Sequence, residues 1–300
     1  MKVGVIDVDR LSTGKCNFPN LALMKISAYH KERGDTVTWC DNPLERFDVV
    51  YQSKVFDDTY TKDIEWIPNA DEINLGGTGY SMTTVLPDEI EHHFPDYSLY
   101  PIVTTNTAYG FLTRGCPRGC GYCIVAPKEG RWSHKVADLS EFWNGERKIV
   151  LIDPNLLACC QRVDLLLQLR NSGALVDFNQ GLDIRLITSD VIRLLSQIRV
   201  ERLHFAWDDP KQDLEPYFEK FANEYPCKDH RRKIVYVLTN YGSTMEENLH
   251  RIYTLERLGF DADVRVFDKP NAPKEVKRLQ RWCNNRIIHG VCKRFEDYKD

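Results

Sequence analysis

Apolar residues along the chain come in short runs, and most runs are followed by a segment with helical spacing. "KVGVIDVD" at the start is a strand-like run. "NLALMKISAYHKERG" then places Leu21, Leu23, Met24, Ile26 and Ala28 at helical intervals and stops at Gly34. "DTVTWC", "FDVVYQSKVF" and "EINLGGTGYS" read as further strands, the last entering a Gly-rich turn. Strand–helix–strand alternation predicts a small α/β unit over residues 1–80, Rossmann- or flavodoxin-like, with four or five mostly parallel strands. Residues 81–107 are rich in Pro, Tyr and charge and lack a period, so they read as a linker wrapped over the surface.

From residue 108 the pattern becomes a repeated strand–helix unit. The six strands are "AYGFL", "RKIVLID", "LVDFNQGLDIRL", "RLHFAWDD", "KIVYVLTNYG" and "DADVRVFD". The intervening helices include "QRVDLLLQLRNSG", "SDVIRLLSQIR" with Ser189 as N-cap, and "TMEENLHRIYTLERLG". Such apolar strands suit a parallel sheet covered on both faces. Six units fit into about 180 residues, whereas a closed eight-unit barrel takes about 200–250. The expected fold is therefore a partial (β/α)6 TIM-like barrel over 108–272, with a C-terminal helix and tail over 273–300. Polar residues recur where the strands end: Asp153 and Asn155, then Gln180, Asp183 and Arg185, then Asp208 and Asp209, then Asn240, then Asp268 and Asn271. In barrels of this kind that rim holds the chemistry, although strand ends also favour such residues as caps and turn formers.

The chain has 300 residues, 42% hydrophobic and 28% charged, with a formal net charge of −4. That is ordinary globular composition, with no global field to recruit nucleic acid or anionic membrane. The N-terminus lacks the apolar core of a signal peptide, and no run of about 18 apolar residues occurs. A cytoplasmic protein with no membrane partner is the expectation. In a reducing compartment the ten cysteines are expected as metal ligands, catalytic groups or buried thiols rather than disulfides.

Three of those cysteines crowd into "TRGCPRGCGYC": Cys116, Cys120 and Cys123. Gly115, Gly119 and Gly121 allow tight turning and Pro117 stiffens the loop. Structural zinc sites and most iron–sulfur clusters use four protein ligands. Three local thiols therefore imply either a distant fourth ligand or an open coordination position.

Cys-x3-Cys-x2-Cys, with an aromatic before the last cysteine and six strand–helix units, resembles the motif of the radical S-adenosylmethionine (SAM) superfamily. The resemblance covers residues 108–270. It implies that Cys116, Cys120 and Cys123 hold three irons of a [4Fe-4S] cluster, whose fourth iron is chelated by SAM. It implies that Tyr122 packs near the adenine, and that Asp153 and Asn155 stand where many members carry a Gly-Gly-Glu-like segment. Gln180, Asp183, Arg185 and Asn240 are the further cofactor-binding candidates, Arg185 as a planar fork for a carboxylate and Asp183 as its structural partner or a SAM contact. The implied activity is reductive cleavage of SAM to a 5′-deoxyadenosyl radical that abstracts hydrogen from an unidentified substrate: a peptide, a nucleotide or RNA, or a small molecule. The electron comes from an external flavodoxin- or ferredoxin-like donor, and Arg114 and Arg118 favour the reduced cluster or are simply solvated.

The N-terminal unit resembles a degenerate cobalamin-binding-type domain. The cobalt-coordinating Asp-x-His-x-x-Gly is missing, and the first ninety residues hold one histidine, His30, so cobalamin held through a histidine is not expected, while another mode of binding it stays open. Gly76–Gly79 offers a phosphate cradle or a plain tight turn. Methyl or methylthio transfer on the same scaffold is one alternative, the latter opposed by only two N-terminal cysteines, Cys16 and Cys40. A non-enzymatic metal module binding nucleic acid through "KEVKRLQRWCNNRIIHGVCKRFEDYK" is the other, against a solvated helix and packed tail. Cys159, Cys160, Cys227, Cys283 and Cys292 are too scattered for an auxiliary cluster and read as ordinary thiols.

Overall fold

The computed structural model describes residues 1–15 and 18–299; Cys16 lies outside them. Two parallel sheets form the framework. In the first, β1 (Lys2–Asp7), β2 (Thr36–Trp39), β3 (Arg46–Ser53) and β4 (Asn69–Gly76) lie in the order β2-β1-β3-β4. Helix α1 (Val8–Thr13) follows β1 directly, and α2 (Leu21–Glu32) starts at Asn20, whose side chain accepts from the Leu23 amide. Leu23, Met24 and Ile26 of α2 pack on Val5 of β1. The segment expected as a linker forms α3 (Asp88–Glu91) and buries Ile90, Leu99 and Tyr100 in that same cluster.

The second sheet has six strands. Its first is β5 (Thr107–Gly110). Next comes a small antiparallel pair, β6 (Thr113–Arg114) with β7 (His134–Lys135), which closes a loop carrying α4 (Val125–Glu129). The chain continues through β8 (Lys148–Leu151), α5 (Arg162–Ser172), β9 (Leu175–Phe178), α6 (Ser189–Gln197) and β10 (Val200–Ala206). It then forms α7 (Glu215–Glu224), β11 (Lys233–Thr239), α8 (Met245–Arg257), β12 (Asp261–Val266), α9 (Lys274–Asn284) and α10 (Arg286–Val291). The sheet order β12-β11-β10-β9-β8-β5 is the order of the sequence, every neighbouring pair being parallel.

Alternation along these strands separates two unlike faces. Ile149, Leu151, Val176, Phe178, Leu203, Phe205, Val235, Val237 and Val264 point to the helices and meet Leu165, Leu195, Phe218, Ile252 and Trp282 in one core. The other face carries Val150, Asp177, His204 and Tyr236. The expectation of strands apolar on both faces is thus corrected: helices cover one face, and the other admits buried polar groups. The third strand is also shorter than its sequence suggested. It ends at Phe178, because Gly181 turns the chain at φ 114°. The cap of α6 is Thr188, one residue before Ser189, with its side chain accepting from the Val191 amide. The C-terminal segment packs: Trp282, Phe295 and Tyr298 are buried in the main core. No helix among the described residues is long and apolar enough to cross a membrane.

Candidate metal and cofactor site

The three clustered cysteines sit on the loop between β6 and β7, above the C-terminal end of β5. Two glycines make the loop possible. Gly115 has φ 82°, and a Cβ there would lie 2.1 Å from the carbonyl oxygen of Trp132. Gly119 has φ 59° and is overlaid by the guanidinium of Arg131. The Cys116 amide donates to the Gly130 carbonyl at 3.1 Å, and that of Cys123 to the Cys120 carbonyl at 3.0 Å. All three thiols are free and partly exposed, and burial pushes the Cys123 thiol up. Among the described residues no three His, Cys, Asp or Glu side chains gather to hold a single metal ion. Three cysteines that each bind a separate iron need not meet at one point.

Carboxylates from four segments brace this loop. Asp153, just past β8, is fully buried and accepts from the Leu112 amide at 3.1 Å and from the Thr113 hydroxyl at 2.7 Å. Burial pushes its carboxyl up to about 6 against those hydrogen bonds. Glu129 accepts from the Gly115 amide at 3.0 Å and from Arg114 at 2.8 Å. Asp183 receives Arg185 at 2.7 Å and also Arg118 from inside the cysteine loop. Burial alone would raise Asp183, but the two guanidinium groups hold it below the usual carboxylate range. Asp208, just past β10, accepts from the Tyr122 hydroxyl, and burial raises its carboxyl.

The sequence candidates therefore occupy different places. Asn155 is buried beside the thiols: its Nδ2 donates to Cys116 Sγ at 3.5 Å, and its Oδ1 is buried without a partner. Against burial, which would lower it, Asp183 holds the Arg185 guanidinium above its usual range, and the other arm of Arg185 holds Gln212. Asp153 has its carboxylate committed to the loop backbone. Gln180 is exposed on the turn after β9. Asn240 has φ 63° and donates to the Phe267 carbonyl at 2.8 Å, joining the ends of β11 and β12. Tyr122 meets Tyr241 edge-on at 5.3 Å between centroids, and Tyr241 meets Phe267 at 4.9 Å. Arg114 and Arg118, the flanking cations, are both ion-paired. Cys40, Cys159 and Cys283 are buried thiols, Cys160 is exposed, and Cys227 and Cys292 are intermediate.

Two groups escaped the sequence reading. Glu129 carries no signal beyond its place in the loop. Arg251 is buried on α8, donating to the Trp207 carbonyl at 2.6 Å, the Asp208 carbonyl at 2.9 Å, the Leu238 carbonyl at 3.0 Å and Asn248 Oδ1 at 2.6 Å. It ties the ends of β10 and β11 together behind Asp208. Its signal was an arginine and an asparagine three apart on the buried face of a helix.

At the first sheet, the Gly76–Gly79 turn is a packing feature. A Cβ on Gly77 would lie 2.3 Å from the Lys54 carbonyl oxygen. The polar groups at that sheet's C-terminal edge are committed to the protein. Asp7 receives Tyr100 at 2.7 Å, Asn20 donates to Ser53 at 2.8 Å, and Lys54 pairs with Asp58 at 2.6 Å. His30 is engaged at both ring nitrogens, by Asp35 and Tyr51. Each of these polar groups thus has a partner within the protein.

Fold and site together define an α/β protein of parallel sheets with a three-cysteine loop at a strand end. No family model matches the chain, and no curated protein matches it. Among solved structures it is similar to the radical S-adenosylmethionine methyltransferase TsrM from Kitasatospora setae, with cobalamin and a [4Fe-4S] cluster bound. The TM-score is 0.62 at 11% identity, over 88% of this chain and 74% of that one. At that identity the likeness shows a shared fold and nothing more. The neighbour's bound cobalamin gives no support to the expectation that this chain lacks it.

Proposed function

We propose that the chain is a radical SAM enzyme whose second sheet is an incomplete (β/α)6 barrel. The observation carrying this reading is the glycine-shaped loop of three free thiols above β5, on a fold shared with a radical SAM methyltransferase. The residues present fit a cluster. Cys116, Cys120 and Cys123 would hold it, and the orphaned Asn155 Oδ1 beside them is an acceptor in need of a donor such as an amino group. Bound there, a reduced [4Fe-4S] cluster would supply the electron for reductive cleavage of SAM and so the radical chemistry that removes hydrogen from a substrate C–H bond.

The chain's own part is positioning. Asp153 and Glu129 fix the two ends of the cysteine loop through its backbone amides. Asp208 orients Tyr122 by its hydroxyl, leaving the ring face for a nucleobase. Arg185 closes its fork on Asp183 and its other arm on Gln212, so it serves as a fixed cation rather than as a free fork for a ligand carboxylate.

Methyl transfer on the same scaffold is the second reading, favoured by the activity of the structural neighbour. Methylthio transfer is not favoured, because the N-terminal unit holds two cysteines, Cys16 and Cys40, where that chemistry needs three, and Cys40 is buried.

One experiment tests both readings. Anaerobically reconstituted protein should bind about four irons per chain and release 5′-deoxyadenosine when given dithionite and SAM. Cys120→Ala should lose both. Formation of S-adenosylhomocysteine with cobalamin absorbance in the purified protein would replace the first reading by the second. A colourless protein indifferent to SAM would defeat both.

A further inference from the structure

At the end of the second sheet opposite the cysteine loop, the amino ends of β5, β8 and β9 border a cleft of about 580 Å³. That is the size of a small-molecule site, and the proposed function makes no use of it. The chain is acidic overall, yet this cleft carries unspent positive charge. Arg147, just before β8, is exposed and has no side-chain hydrogen bond or ion pair among the described residues. Arg199, just before β10, donates to the Gly173 carbonyl at 2.9 Å, a contact that neutralises no charge. The third lining cation, Lys148, is by contrast matched by Glu201 at 2.5 Å.

The sheet fixes where the two arginines stand. The Leu175 amide donates to the Arg147 carbonyl at 3.0 Å and the Val176 amide to the Arg199 carbonyl at 2.8 Å. They therefore flank the start of β9, one strand away on either side. Neighbouring strands lie about 4.8 Å apart, which puts the two backbones about 10 Å apart. Two arginine side chains can close that span on one doubly charged anion. The other lining groups set what else the ligand carries. Thr105 spends its hydroxyl proton on the Pro101 carbonyl at 2.6 Å, and Thr107 on the Thr105 carbonyl at 3.2 Å. To a ligand both oxygens are thus acceptors. The Glu146 carboxylate, which accepts from the Asn144 amide at 2.7 Å, is another. The half-buried Trp143, its indole N–H held on the Glu146 carbonyl at 2.9 Å, adds an apolar wall.

We infer that this cleft binds a small phosphate monoester bearing hydroxyl groups, with Arg147 and Arg199 on the phosphate and Thr105, Thr107 and Glu146 on the hydroxyls. Two free cations against one acid leave the cleft net positive, and the single acid favours a ligand with its charge at one end only. The site lies away from the cysteines, so it stands whether or not the proposed function does.

The test is calorimetric titration of the purified chain with ribose 5-phosphate and with AMP, beside ribose and inorganic phosphate alone. The expected result is saturable binding of at least one ester that weakens with salt, with ribose and phosphate each bound at least about tenfold more weakly. Arg147→Gln and Arg199→Gln should each weaken ester binding about tenfold, and Arg199→Lys should recover part of that loss, because it restores the charge but not the fork. Both arginines are exposed, so neither substitution removes core packing. No saturable binding of either ester, or wild-type affinity in both glutamine variants, would overturn the inference. Inorganic phosphate bound as tightly as the esters would also overturn it, since the lining acceptors would then contribute nothing.

Discussion

Asp177→Asn should stabilise the protein at neutral pH. Asp177 is 4% exposed on the polar face of the second sheet, and its Oδ1 is buried with no hydrogen-bond partner. Lys148 stands 3.8 Å from Oδ2 but lies closer to Glu201, at 2.5 Å. His204 Nδ1 is 3.5 Å away, yet it engages the Phe178 carbonyl at 3.1 Å, and burial lowers its pKa to about 4, so the ring is neutral. Burial therefore pushes the Asp177 carboxyl from 3.8 to about 6. At about 1.4 kcal/mol per pK unit, ionising it in the folded state costs about 3 kcal/mol. A folded pKa above the unfolded one means that stability is full below 3.8 and is lost as pH rises through 6. The neutral amide escapes this loss but keeps part of the cost of an unpaired polar group, which leaves a gain of about 1–3 kcal/mol. Thermal melts of both proteins should differ by several degrees at pH 7, roughly 2 °C or more per kcal/mol. The difference should fall by about half at pH 5 and nearly vanish near pH 4, by the same linkage. A variant no more stable than wild type at pH 7, or a gain that does not shrink with acid, would refute the reasoning.

Two further outcomes follow from the loop and its support. Gly115→Ala forces a Cβ to within 2.1 Å of the Trp132 carbonyl at φ 82°. The left-handed backbone alone costs about 1–2 kcal/mol, so the variant should fold but retain less iron after gel filtration. Arg251→Met leaves the carbonyls of Trp207, Asp208 and Leu238 and the Asn248 amide oxygen without a donor. At roughly 1 kcal/mol each, and offset by no longer burying a guanidinium whose pKa burial lowers to about 10, the net loss in urea unfolding should be about 2–4 kcal/mol. Lysine should not restore it, because an ammonium cannot span both strands.

The order of the strands was legible because each apolar run is closed by a turn residue and followed by a helical stripe. The cysteine loop was legible because its spacing is local. What was hidden is long-range. Asp153 looked like a rim residue facing a ligand, and its local sequence, "LIDPNLL", is compatible with that. Its carboxylate instead satisfies amides forty residues earlier, a pairing that only the adjacency of β5 and β8 creates. Tyr122 and Asp208 are eighty-six residues apart and meet because β10 ends beneath the loop. The polar face of the sheet was obscured because Asp177 and His204 stand singly inside apolar strands, where composition outweighs them. Residues 81–107 lacked a period because their anchors, Ile90, Leu99 and Tyr100, are spaced for a surface wrap rather than for a helix.

The four carboxylates that brace the cysteine loop have a shared electrostatic consequence. Each is buried or half-buried beneath thiols that become anionic when they bind metal, a repulsive arrangement unless cations intervene. The structure supplies them selectively. Glu129 has Arg114, Asp183 has both Arg118 and Arg185, and Asp208 has Arg251 bonded to its own carbonyl. Asp153 has no ion-pair partner among the described residues, and burial pushes its carboxyl up to about 6. Arginines therefore offset three of the four bracing carboxylates beneath the thiols. On the proposed function, a cluster held here would gain an electron with most of the charge of its supports already offset.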